Sequence, residues 1–257
     1  MKSVRPKKKL GQHFLNDRGL AEKIANLADF STYDQVLEIG PGMGVLTQFL
    51  PWKAGKVVVI EIDTESIDYL KATFSTLVEK IHKGDFLTAD LTQIMGQRPF
   101  GVIGNFPYNI STQIVFKTLE YRQHIPFFAG MFQKEVAERI CEPPGSKKYG
   151  ILSVLTQLFY TVNYAFTVPP HVFNPPPKVD SGVIYMHRKE NFELECDEKL
   201  LFRIVKLGFQ QRRKTLRNSL KSFGLPKNIT EDSIFDQRPE KLSGADFIAL
   251  TKKITHG

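Results

Sequence analysis

The stretch of the chain best suited to chemistry is Gly104-Asn105-Phe106-Pro107-Tyr108-Asn109. An exocyclic amine on a nucleobase is a poor nucleophile because its lone pair is delocalised into the ring. The neutral amide oxygen of Asn105 and a neighbouring backbone carbonyl can each accept one N–H bond. Together they draw the nitrogen toward tetrahedral geometry and free the pair. Pro107 stiffens the turn by fixing its own φ. Tyr108 offers an aromatic face on which an extruded base stacks. Such a site works by positioning the amine in line with an electrophilic methyl carbon, and it needs neither a metal nor a strong base.

A second candidate lies upstream. Glu38-Ile39-Gly40-Pro41-Gly42-Met43-Gly44 follows a short apolar run and precedes a stretch read as helical. Glycines there permit a tight turn and close approach of a ligand to the main chain. A dinucleotide fingerprint G-x-G-x-x-G would put its third glycine at position 45; that residue is Val45, and the third glycine is Gly44. The spacing disfavours an NAD-linked oxidoreductase and suits a nucleoside ligand without a pyrophosphate, such as S-adenosylmethionine. Glu61 stands 21 positions past Gly40, near the end of the next predicted strand. A carboxylate there can accept hydrogen bonds from both ribose hydroxyls. Asp63, two residues on and on the same face, is its rival. Asp85, in Gly84-Asp85-Phe86 at the end of the third predicted strand, can accept from an adenine amino group.

These residues need a scaffold that brings strand ends together. Val36–Ile39, Lys56–Ile62, Ile81–Phe86, Phe100–Gly104 and Phe127–Phe132 read as strands, with Lys56–Ile62 a β-branched run buried on both faces. Thr64–Thr73 and Ser111–Tyr121 read as helices. Gly19–Ala28 does too, with Asn16 or Asp17 as its cap. The alternation predicts an α/β fold, a mostly parallel sheet with helices on both faces. Two further strands near Asn163–Val168 and Gly182–His187 would close an edge. Beyond Lys189 helical periodicity takes over. The predicted organisation is therefore a Rossmann-like α/β domain over 1–189 and a small all-helical domain over 190–257.

Hydrophobic residues make up 42% and charged residues 24% of the 257, which excludes wholesale disorder. No apolar run approaches the ~18–20 residues needed to span a bilayer, so no membrane association is expected. Two cysteines, Cys141 and Cys196, cannot build a disulfide framework or a zinc cluster, and the histidines form no ligand pattern, so no metal is expected. The basic start lacks an apolar core and does not read as a secretory signal, so the expected location is cytoplasmic. The net charge of +8 points to a polyanionic partner, nucleic acid first. From Arg203 to Lys221 there are seven basic residues and no acid. Within this run Lys206, Arg213, Arg217 and Lys221 would fall along one stripe of a continuous helix, with Leu216, Leu220 and Phe223 on another face. This reads as a cationic ridge for RNA phosphates. Phe173-Asn174-Pro175-Pro176-Pro177-Lys178 reads as a stiff connector, and Cys141–Gly150 as a mobile loop.

Five segments in order resemble the ribosomal RNA adenine N6-dimethyltransferase family, and specifically its small-subunit branch. They are Leu10-Gly11-Gln12-His13-Phe14-Leu15, Glu38-Ile39-Gly40-Pro41-Gly42, Gly104 to Ser111, Pro175-Pro176-Pro177-Lys178-Val179-Asp180-Ser181, and Phe209 to Leu220. The resemblance implies S-adenosylmethionine as methyl donor, and two adjacent adenosines near the 3′ end of small-subunit (16S) rRNA as substrate, within the immature small ribosomal subunit. It implies a monomer with a role in subunit biogenesis. It implies cofactor contacts from His13, Leu15, Gly40, Glu61, Asp85 and Asn105, methyl transfer at Asn105, and Tyr108 and Phe173 on either side of the target base. The family more often has Leu where this chain has Phe106, and His13 stands where an Asn is also common. Relatives that modify large-subunit rRNA, and an assembly or quality-control factor that binds the immature small subunit with methylation secondary, are the competing readings.

Overall fold

In the computed structural model, residues 4–30, 34–190 and 193–256 are described. The strands are β1 (Phe14–Leu15), β2 (Gln35–Ile39), β3 (Val57–Glu61), β4 (Ile81–Lys83), β5 (Phe100–Asn105), β6 (Phe127–Gln133), β7 (Tyr160–Val168), β8 (Phe173–Asn174) and β9 (Ser181–Arg188). The α-helices are α1 (Arg18–Ala25), α2 (Thr64–Thr73), α3 (Leu91–Met95), α4 (Ser111–Glu120), α5 (Lys134–Cys141), α6 (Ile151–Phe159), α7 (Glu198–Gln210), α8 (Leu216–Ser219), α9 (Lys227–Thr230) and α10 (Gly244–His256). None of the described helices is long and apolar enough to cross a membrane.

Seven strands form one sheet in the order β4-β3-β2-β5-β6-β9-β7. The five from β2 to β6 are parallel, and β9 runs antiparallel to β6. Every residue of β3 is buried, as its β-branched composition predicts for a strand covered on both faces. Strand order reverses between β2 and β5, where open α/β sheets bind their ligands. The register brings the chemistry to that point. Ile39 pairs with Ile60, Glu61 with Lys83, and Glu38 with Ile103. The residues that follow, Gly40, Asp85 and Asn105, therefore emerge along one edge beside Glu61.

Several local outcomes differ from expectation. After the glycine turn the chain makes only a 3₁₀ turn at Thr47–Phe49, which Pro51 ends. β4 stops at Lys83 because the next residues wind into a turn whose amides, Thr88 and Ala89, both donate to the Asp85 carbonyl. β1 and β8, two residues each, pair with one another and went unread because they are too short to show periodicity.

The chain divides into two compact units. One is the chain through Ala137 together with Val162–Arg188, and the other is Glu138–Thr161 with the chain from Lys189 on. The segment Glu138–Thr161, read from sequence as part of the first domain, thus clusters with the helical unit. Its apolar helix α6 packs there, with Leu158 so close to Gly244 that a Cβ on the glycine would lie 2.7 Å away. The loop read as mobile is tied down within this unit. Gly145 donates to the Glu240 carbonyl at 2.6 Å, Arg212 donates to the Ser146 carbonyl at 3.0 Å, and Tyr149 is buried beside Phe209.

The single basic helix is also corrected. α7 ends at Gln210, Arg213 lies in the turn that follows, Arg217 lies on α8, and Lys221 begins a 3₁₀ turn. Basic residues favour helix and contain no breaker, so their spacing alone could not show the turn. Arg217 pairs with Asp236 at 2.7 Å and donates to the Thr230 carbonyl. Lys206, Arg213 and Lys221 remain exposed.

Phe106, buried to 1%, seats its ring over two glycines against Phe128 and Phe132. A Cβ on Gly130 would lie 2.0 Å from the ring, and one on Gly104 would lie 2.6 Å from it. Gly130→Ala should therefore lower the unfolding free energy by about 1–3 kcal/mol in urea denaturation. Adding Phe106→Leu should recover part of the loss; an equal loss with either residue at 106 would contradict this packing.

Candidate functional site

The strand ends open on a cavity of about 200 Å³ whose wall includes Gly40, Glu61, Asp85, Asn105 and His13. The N-terminal residues Lys9–Phe14 make one side of it. Gly40 adopts φ 63°, and a Cβ there would meet nothing within 4 Å. The backbone at the turn therefore faces open space that a ligand can approach closely.

Asn105 ends β5 and is half-buried. Its Nδ2 donates to the His13 carbonyl at 3.1 Å. One of its two N–H groups is thereby engaged and the nitrogen is held toward His13, so the oxygen is the end left to accept. In the turn that follows, the Pro107 carbonyl accepts from the Ile110 amide and the Tyr108 carbonyl accepts from Ser111 Oγ.

The structure separates the rival carboxylates. Glu61 is on the cavity wall, whereas Asp63 is consumed elsewhere. Asp63 accepts from Lys7 Nζ, from Gln12 Nε2 at 3.3 Å and from Ser66 Oγ at 3.2 Å, and its side chain caps α2. The Asp63 carboxyl sits below its usual range because the Lys7 and Gln12 hydrogen bonds outweigh the cost of burial. Glu61 accepts from the amides of Gly42 (3.1 Å), Ile62 and Asp63 (both 2.9 Å). Burial raises its pKa in spite of these donors. Asp85 accepts the Leu87 amide at 2.9 Å through Oδ1.

Tyr108 and His13 stack with centroids 5.4 Å apart. The proline-rich segment holds both from its two ends. The Pro175 carbonyl lies 2.7 Å from His13 Nδ1, which must carry the proton because a carbonyl only accepts. Ser181 Oγ, fully buried, lies 2.5 Å from the Tyr108 hydroxyl. Phe173 is not brought to the cavity. It is 3% exposed and packs in the core with Leu15, Met131 and Val183. Leu15 is likewise a core side chain, 4% exposed, paired through its backbone with Phe173. The apolar character of both residues already fitted a core position.

The family model described as ribosomal RNA adenine dimethylase matches residues 4–254. The chain belongs to the ribosomal RNA adenine dimethylase family. A protein of Flavobacterium johnsoniae named ribosomal RNA small subunit methyltransferase A is 59% identical over 99% of this chain and 97% of its own length. The protein of the same name from Bacteroides thetaiotaomicron is 54% identical over 99% and 96%. Among solved structures, a dimethyladenosine transferase from Plasmodium falciparum matches with TM-score 0.80 and 26% identity, covering 95% of this chain and 98% of that one. The 23S rRNA methyltransferase ErmE matches with TM-score 0.67 and 27% identity, covering 95% and 100%.

Glu38, Gln12 and Ser181 support this cavity and its surroundings, and their residue types alone do not show it. Glu38 was visible inside the glycine motif, but its burial was not. It accepts from Thr47 Oγ1 at 2.6 Å, and burial pushes its carboxyl up to about 8. Native Glu38 therefore keeps its proton where the unfolded chain has lost it, and its contribution to stability is lost as pH rises from about 4.5 toward about 8. Glu38→Gln should gain stability relative to wild type between about pH 5 and about pH 9. Urea denaturation at both pH values checks this; a pH-independent difference would contradict it.

Proposed function

We propose that the chain transfers methyl groups from S-adenosylmethionine to the N6 amines of two adjacent adenosines near the 3′ end of small-subunit rRNA, giving N6,N6-dimethyladenosine. The observation that carries this reading is the Asn105 amide, whose Nδ2 is engaged by the His13 carbonyl, so that Oδ1 is the atom offered to an incoming amine. Oδ1 and the Phe106 carbonyl each accept one N–H of the flipped adenine and aim its lone pair along the transfer axis. The Tyr108 ring, fixed by Ser181 and braced by His13, supplies the stacking face.

S-adenosylmethionine, when bound, supplies a methyl carbon activated by its sulfonium. The cavity suits it because its wall offers carboxylates and a glycine turn rather than a phosphate cradle. Glu61 holds the ribose hydroxyls, Asp85 the adenine amino group, Gly40 the main-chain approach and His13 the facing wall. After the first transfer only one N–H remains, so Asn105 Oδ1 and the Phe106 carbonyl must share it while the monomethyl amine turns. Lys206, Arg213 and Lys221 meet RNA phosphates, and Arg217 contributes what its pairing with Asp236 leaves. The partner is the immature small ribosomal subunit, met by a monomer in the cytoplasm, and the helical unit is the part of the chain that grips it.

The test is methylation of small subunits lacking the modification, followed by mass-spectrometric mapping of the rRNA. Wild type should dimethylate two adjacent adenosines of the small-subunit RNA, and Asn105→Ala should lower turnover by about 10²–10³-fold or more with RNA binding nearly intact. Turnover that survives Asn105→Ala, or methyl groups found on large-subunit rRNA, would overturn this reading.

A further inference from the structure

Lys117 has no part in the chemistry above, yet it is 7% exposed, an unusual place for a lysine. It lies on α4, the helix that begins directly after the Asn105–Tyr108 turn. Its ammonium donates to the Leu87 carbonyl at 2.9 Å and to the Ala89 carbonyl. The rings of Phe86 and Tyr121 each lie 5.5 Å from the charge. Phe86 itself lines the cavity.

The segment it grips is the turn that presents Asp85. At the front of the turn the Gly84 amide donates to the Glu61 carbonyl at 2.9 Å. Within it, Asp85 Oδ1 accepts from Leu87 N–H, and the Asp85 carbonyl accepts from the amides of Thr88 and Ala89. Two of the carbonyls at its far end are those taken by Lys117. The turn is thus fastened to β3 at one end and to α4 at the other. The field of Asp85, Asp90 and Glu120 favours the charged form of the ammonium, although burial lowers its pKa overall.

We propose that Lys117 is a positioning residue for cofactor recognition: by gripping the Leu87 and Ala89 carbonyls from the helix of the methyl-transfer turn, it holds Asp85 where its carboxylate reads the adenine amino group. This rests on the assignment of Asp85 to adenine. It adds that one side chain sets the nucleoside-reading turn and the methyl-transfer turn in register. Removing the charge-assisted donors leaves two half-buried carbonyls to find other partners, and the turn relaxes.

The experiment is calorimetric titration of the full chain with S-adenosylhomocysteine and with its hypoxanthine analogue S-inosylhomocysteine. The analogue replaces the amino group by a carbonyl oxygen, which a carboxylate repels. Wild type should favour the adenine form by about tenfold or more, and Lys117→Met should weaken that form by about tenfold while leaving the analogue nearly unchanged, so that the preference collapses. Lys117→Arg, which retains charged donors, should restore most of the preference. Should Lys117→Met fail to fold, Lys117→Gln is read by the same ratio. A Lys117→Met or Lys117→Gln protein with wild-type affinity and ratio overturns the proposal. Asp85→Asn separates this from failure of the underlying assignment. If wild type shows no preference, or Asp85→Asn keeps it, then adenine is not read by Asp85 and the role of Lys117 falls with it.

Discussion

A primary amide can turn either its oxygen or its nitrogen toward a ligand, and the two faces do opposite things to an amine. At Asn105 the choice is made by a backbone group some ninety residues away in the chain: Nδ2 donates to the His13 carbonyl. That one bond makes the side chain an acceptor in the cavity. The position of the His13 carbonyl is secured in turn. The next two residues pair with Phe173–Asn174, and the His13 ring donates to the Pro175 carbonyl. Phe173 lies in the core, its backbone paired with Leu15 close to His13, whereas the Tyr108 ring lines the cavity.

The same economy of contacts recurs around the cavity. Asp63 fastens the N-terminal wall through Lys7 and Gln12 and caps α2, which leaves Glu61 as the carboxylate of the pair that lines the cavity. Ser181 and Pro175, at the two ends of one proline-rich segment, hold Tyr108 and His13. Lys117 fastens the Asp85 turn from the helix that follows Asn105. Each of these cavity-lining groups is thus held by a second residue brought in by topology, with the parallel sheet setting the spacing between them.

The parts legible in the sequence are those with local signatures. β3 shows its burial in a run of valines, Thr64–Thr73 and Ser111–Glu120 show helical periodicity, and the glycine turn and Asn-Phe-Pro-Tyr mark the strand ends that border the cavity. What could not be read depends on distant pairing. The β1–β8 ribbon is two residues deep. The burial of Phe173 and Leu15 depends on that pairing, and the competition between Glu61 and Asp63 is decided by Lys7 and Gln12. In the helical unit the break after Gln210 carries no glycine or proline, so the basic stripe looked continuous. The packing of Glu138–Thr161 with the later helices is likewise a long-range event, invisible in a chain read from one end to the other.

The most direct test of this account is a crystal structure of the chain with a non-transferable analogue of the methyl donor and a short RNA bearing the target adenosine. The account predicts Asn105 Oδ1 at about 2.7–3.2 Å from the adenine N6, with Nδ2 still donating to the His13 carbonyl and the base stacked on Tyr108. An amide found reversed, with Nδ2 toward the base, or an adenine amine seated away from Asn105, would contradict it.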